Sequence, residues 1–236
     1  NPAITRDAAG RWLPAGKGPT LRSLTLAQLQ AYDVGRINPE TPYGKTFSSQ
    51  VPRDGTRVPA LAALFALVKA RGADEVRFNI ETKINPTQPD ETVNPEQMVR
   101  ALLNTVREAG LTRRVTIQSF DWRTLQIVQG VEPAIPTVYL SIQTANTDNI
   151  RDGAWTAGFK LADHGSLPRM VKAAGGAVWS PNGGAVTEAC PGGKAIDTAH
   201  EAGPHFRGDS LTLLFGLLCA CARLRPAPGQ RAWGRY

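Results

Sequence analysis

The segment Val76-Arg77-Phe78-Asn79-Ile80-Glu81-Thr82-Lys83 carries a carboxylate and an ammonium two residues apart. Alternation places Val76, Phe78 and Ile80 on one face of a strand and Arg77, Asn79, Glu81 and Lys83 on the other. A buried parallel strand ordinarily reads as a near-continuous apolar run, so this polar face needs a reason. In a parallel barrel such a face looks into the interior at the C-terminal mouth, where active sites are built. Glu81 offers a hard oxygen ligand for Mg2+ or Ca2+, and Lys83 a charge that neutralises a bound phosphate. The plainer alternative is a partly buried Glu–Lys pair at a strand end, satisfied by each other and by water. The segment alone leaves both open.

A second strand, Val115–Phe120, puts Thr116, Gln118 and Phe120 on one face, opposite Val115 and Ile117. Gln118 is then a polar interior residue near the same mouth, and Phe120 either walls a pocket or is plain core. Tyr139 and Trp179, on two further candidate strands, either extend that aromatic wall or pack structurally. Asp121 reads as a helix cap rather than an acid–base group. His164, His200 and His205 have no evident partners and read as surface or core histidines. No nucleophile elbow, P-loop or dinucleotide fingerprint occurs, and Gly175-Gly176 and Gly183-Gly184 read as turns.

The elements that must position these residues alternate regularly. Residues 1–22 are loop-like, and Thr25 with Gln28 begins a short helix in a capping-box pattern. Residues 35–59, with four prolines, read as an extended connection. Leu61, Leu64, Phe65 and Val68 form a helical stripe that Gly72 stops. Strands are expected at Val76–Lys83, Val115–Phe120, Thr137–Ile142 and Ala177–Ser180. Between them, helices begin at Asn94-Pro95, after Asp121 and after Ser166. Strands separated by helices imply βαβ units and a parallel sheet, so the fold class is α/β.

Composition narrows the function classes. With 42% hydrophobic and 20% charged residues, the 236-residue chain is neither disordered nor disulfide-stapled. Its net charge of +7 contains no long block of like charge, which argues against a dedicated nucleic-acid surface. The longest apolar run, Leu211 to Ala222, is too short to span a bilayer. Cys190, Cys219 and Cys221 lack zinc-site spacing and read as incidental thiols.

Taken in order, several motifs resemble those of the glycerophosphodiester phosphodiesterases. Leu24-Thr25-Leu26-Ala27-Gln28-Leu29 with Asp33-Val34-Gly35 resembles the family's "lTlaeL…dvG" helix, and Val58-Pro59-Ala60-Leu61 its "iPtL" turn. Phe78-Asn79-Ile80-Glu81-Thr82-Lys83 is similar to its "lnIEiK" strand, and Ser119-Phe120-Asp121 to its "SFd" strand end. Trp179-Ser180-Pro181-Asn182 follows in the place expected. The resemblance implies a TIM (β/α)8 barrel, here incomplete, of which residues 1–189 form the central part. It further implies hydrolysis of a small-molecule glycerophosphodiester to an alcohol and glycerol 3-phosphate, assisted by a divalent metal, Ca2+ or Mg2+. Glu81 matches a metal-binding carboxylate and Lys83 a site lysine, while Gln118, Phe120, Tyr139 and Trp179 are the candidate substrate-binding residues.

The family's His-Arg-Gly, Glu-x-Asp and His-Asp motifs precede the point that matches Asn1, and no catalytic histidine is carried over. Residues 190–236 depart from the family pattern and are read as a divergent or frameshifted tail. This polypeptide alone is therefore expected to be inactive, and a periplasmic or secreted location is favoured over a cytoplasmic one. The alternatives are another phosphodiester-cleaving barrel, such as a phospholipase, and a non-catalytic anion-binding barrel.

Overall fold

A computed structural model describes residues 1–16, 18–144, 146–182, 205–206 and 220–222. The expected tail from residue 190, with Cys190, Cys219 and His200, lies outside the described residues apart from two short strand segments. The chain divides into two compact units, Asn1–Leu64 with Asp90–Val93, and Phe65–Pro89 with the described residues from Asn94 onward.

The first unit is held by turns, charges and two short helices. Thr25 caps α1 (Leu26–Leu29) in the anticipated reciprocal arrangement. Its hydroxyl accepts from the Gln28 N–H, and the Gln28 side chain accepts from the Thr25 N–H. The connection read as wholly extended contains a second helix, α2 (Pro42–Thr46). The Thr41 hydroxyl accepts from the Gly44 N–H at 3.0 Å, and Pro42 opens the helix, so a cap plus a first-turn proline outweighed the proline count. Arg22 donates to the Thr92 carbonyl at 2.9 Å, joining residues 90–93 to this unit.

At the centre of the unit Arg6 bridges Asp33 at 2.5 Å and Asp54 at 2.6 Å, while Arg36 grips Asp54 from the other side. Asp33 also accepts the backbone N–H groups of Gly55 and Gly35. Those two bonds, with help from the Arg6 guanidinium, hold its carboxyl down at about 2. A side chain at Gly35 would overlap the Arg53 carbonyl, so only glycine permits this close backbone approach.

The second unit is a mainly parallel sheet with helices on one face. Phe65, on α3 (Leu61–Ala70), meets Phe78 of β1 (Phe78–Glu81) edge-on at 4.9 Å. Asn94 caps α4 (Pro95–Glu108), whose buried stripe is Val99, Leu102, Leu103 and Val106. β2 (Val115–Ser119) leads into α5 (Trp122–Val131), capped by Asp121 as anticipated. β3 (Thr137–Ser141) is followed by α6 (Leu161–His164), α7 (Leu167–Ala173) and β4 (Val178–Pro181). Strands β1 to β4 pair in parallel in chain order. Beyond them, β5 (His205–Phe206) pairs parallel with β4, and β6 (Ala220–Ala222) pairs antiparallel with β1. No helix among the described residues is long and apolar enough to cross a membrane.

β1 is shorter than the alternation from Val76 to Lys83 suggests. Its neighbour β2 begins only at Val115, opposite Phe78, because Thr112–Arg114 form a tight helical turn. Upstream of Phe78 the ladder is replaced by Arg114, whose guanidinium donates to the carbonyls of Val76 at 2.9 Å and Ala73 at 2.8 Å.

A buried hydroxyl network closes the C-terminal ends of β1 and β2. Ser119 Oγ donates to the Thr82 carbonyl at 2.9 Å and accepts from the Asp121 N–H at 3.0 Å. Thr82 and Thr124 share a hydroxyl–hydroxyl bond of 2.7 Å, and the Thr124 hydroxyl also reaches the Asp121 carbonyl.

Two measurements test this account. Ser119→Ala strips a fully buried donor and acceptor at once, and should lower unfolding stability by about 1–3 kcal/mol in a denaturant titration. For Asp33 the folded pKa lies below the unfolded one, so its stabilisation is complete above roughly pH 4. It should drain away as pH falls toward about 2, and acid unfolding followed by circular dichroism should be less steep in Asp33→Asn.

Candidate active site

In a parallel sheet, residues paired in register point to the same side. The register therefore aligns Asn79 with Thr116 and Glu81 with Gln118, and continues to Val138 on β3 and Val178 on β4. This is the face away from the helices. The opposite face carries Ile80, Ile117 and Ser119 against them.

Glu81 is the last residue of β1, and Gln118 stands beside it one strand away. Gln118 Oε1 accepts from Asn79 Nδ2 at 2.6 Å, and the register sets Gln118 beside Glu81. Lys83 has left the strand and is half exposed, with its Nζ 3.7 Å from Glu81 Oε1. That separation is a charge contact rather than a hydrogen bond. Two buried oxygens of the cluster, Glu81 Oε1 and Asn79 Oδ1, have no hydrogen-bond partner among the described residues. Burial raises the Glu81 pKa, and the Lys83 charge and the nearby Gln118 side chain pull it only partly back.

The structure thus brings Glu81, Lys83 and Gln118 together, and adds Asn79. Its signal was already present, since Asn79 shares the alternation parity of Glu81, but it lacks a charge to draw notice. Phe120 sits half-buried in the bend after β2, its carbonyl accepting from Asn149 Nδ2 at 3.3 Å.

Tyr139 and Trp179 do not extend this cluster. Tyr139 is in register with Ser119 and with Trp179, which places both rings on the helix-covered face. The Tyr139 hydroxyl donates to the Ala174 carbonyl at 2.7 Å, and its ring meets Trp122 edge-on at 4.9 Å. Burial pushes its pKa up to about 12, so it stays neutral. Trp179 Nε1 donates to Ser141 Oγ at 2.9 Å on the same side. Both rings are structural because the register offsets β3 by one residue from the parity an aromatic wall would need.

Among the described residues no three His, Cys, Asp or Glu side chains gather where they would hold a metal ion. His164 ends α6 with its ring 5.8 Å from that of Phe159. Asp121 is paired bidentately with Arg123 while it caps α5, a structural assignment in both respects.

The model of the glycerophosphoryl diester phosphodiesterase family matches residues 5–205. The chain belongs to that family. A Silicibacter pomeroyi protein assigned to the glycerophosphoryl diester phosphodiesterases is 30% identical and superposes with a TM-score of 0.72, over 87% of this chain and 64% of that one. A glycerophosphodiester phosphodiesterase from Parabacteroides distasonis is 14% identical, with a TM-score of 0.44, over 74% of this chain and 63% of that one. The chain therefore spans less than two thirds of the length of either. No curated protein matches it. The family's fold is a TIM barrel, and the parallel sheet with its alternating helices is an incomplete α/β barrel of that kind. In a barrel the face away from the helices is the interior, and sites form at the C-terminal ends of the strands. Glu81 is the last residue of β1 and Gln118 the last but one of β2.

The electrostatics of the pair can be read directly. Lys83→Met removes the cation that stabilises ionised Glu81, so the Glu81 pKa should rise further. A carbon-13 carboxyl titration should detect the upward shift, and an unchanged pKa would show that the two charges do not interact.

Proposed function

We propose that this chain contributes to a site that hydrolyses glycerophosphodiesters to an alcohol and glycerol 3-phosphate with the help of a divalent metal, Ca2+ or Mg2+. The observation that carries the reading is Glu81 Oε1, a buried carboxylate oxygen at the C-terminal end of β1 without a hydrogen-bond partner among the described residues. A hard oxygen left unsatisfied in this way suits a hard cation. When bound, that cation supplies Lewis-acid polarisation of the phosphodiester.

The chain's own residues have separate tasks. Glu81 would hold the cation, with the Gln118 amide beside its carboxylate one strand away. Lys83, at the mouth with its ammonium half exposed, neutralises a non-bridging phosphate oxygen and draws the anionic substrate in. Proton transfer needs an acid and a base, and none of the three histidines of this sequence matches the family's acid–base positions. The 236-residue polypeptide by itself is accordingly expected to release no glycerol 3-phosphate.

Incubation of the purified chain with glycerophosphocholine and Mg2+ or Ca2+ tests the inactivity, which metal-dependent release of glycerol 3-phosphate would refute. Calorimetry with glycerol 3-phosphate tests the site. Binding that needs a divalent metal and disappears in chelator supports the phosphodiesterase reading. Binding indifferent to chelator and lost in Lys83→Met would favour an anion-binding barrel instead.

A further inference from the structure

Two acceptors on one face of β1, Asn79 Oδ1 and Glu81 Oε1, are buried without a hydrogen-bond donor among the described residues. The direction of the amides between them explains why. Gln118 stands in register beside Glu81, and an Nε2 on the carboxylate side avoids setting two oxygens against each other. Its Oε1 then faces Asn79, which answers with Nδ2 at 2.6 Å. Asn79 is left with its Oδ1 turned away from Gln118. The alternative flip of either amide sets oxygen against oxygen or nitrogen against nitrogen.

We infer that Asn79 presents its side-chain oxygen as a second, neutral ligand beside Glu81 for the divalent cation, with Gln118 as the positioning residue that locks the amide. This rests on the cation-binding role of Glu81 given above. Carboxylate and amide carbonyl are both hard oxygens of the kind Ca2+, Mg2+ and Mn2+ take. Residues 79 and 81 project from the same side of one strand, so a single ion can reach both without backbone movement. Lys83 does not remove the need, because its ammonium stands 3.7 Å from Glu81 Oε1 and half in solvent. Only one negative charge then faces the ion from this strand, which makes the affinity sensitive to the charge at position 79.

Mn2+ titration of the full chain tests this, with affinity read from water-proton relaxation and broadening read at the Asn79 and Gln118 side-chain amide signals. Asn79→Leu should weaken Mn2+ binding about tenfold or more, and Gln118→Met, which frees the amide, should also weaken it. Asn79→Asp is nearly isosteric and should tighten binding, which keeps the test decisive if the leucine variant fails to fold. Glu81→Gln should abolish binding. If both Asn79 variants bind Mn2+ as the parent does while Glu81→Gln has lost it, the inference falls and the Glu81 assignment stands. If the parent does not bind Mn2+, or Glu81→Gln binds equally well, the Glu81 assignment falls and takes the inference with it.

Discussion

The Ser119 hydroxyl, wholly buried, donates to the carbonyl of Thr82 and accepts from the N–H of Asp121. One oxygen atom thus ties the end of β1 to the end of β2 and to the start of α5. Thr124 reinforces it by bonding Thr82 and the Asp121 carbonyl together. The consequence reaches the site, because this clamp secures the register in which Glu81 stands beside Gln118. A slip of one residue would turn Glu81 toward the helices and Ile80 toward the interior.

With register secured, the two faces of the sheet do different work. The helix side follows ordinary packing rules, with Phe65 on Phe78, Trp122 on Tyr139, and polar tips such as Tyr139 Oη and Trp179 Nε1 finding partners. The other side breaks those rules at Asn79 and Glu81, where buried oxygens go unmatched. Such local violations are expected where a surface is shaped for a ligand rather than for stability. The placement of that violation, at the C-terminal end of a barrel strand in a phosphodiesterase family member, links the fold to the proposed chemistry. In the other compact unit the Arg6, Asp33, Asp54 and Arg36 charges pair with one another and hold loops together, although Arg6 Nε there also lacks a hydrogen-bond partner among the described residues.

Much of the local structure was legible in the chain because its causes are local. The Thr25 and Gln28 capping box, the Asn94-Pro95 helix start and the Asp121 cap each depend on residues within a turn of one another. The helix at Pro42 was obscured by neighbouring prolines, although Thr41-Pro42 carries the same kind of start signal. The length of β1 was not legible, since it depends on where β2 begins and on Arg114 reaching back to Val76.

The candidate site divides along the same line. By itself, the sequence determined that Asn79 and Glu81 share a face, because alternation along a strand is a property of the backbone. It also determined that Gln118 lies opposite Ile117 within its own strand. Only the tertiary structure decided which face of β3 and β4 joins them. Inter-strand register is set by packing and hydrogen bonds between residues far apart in the chain, and it sent Tyr139 and Trp179 to the helices. The unmatched oxygens are likewise a tertiary result, since the Gln118 amide that binds Asn79 and stands beside Glu81 arrives from another strand.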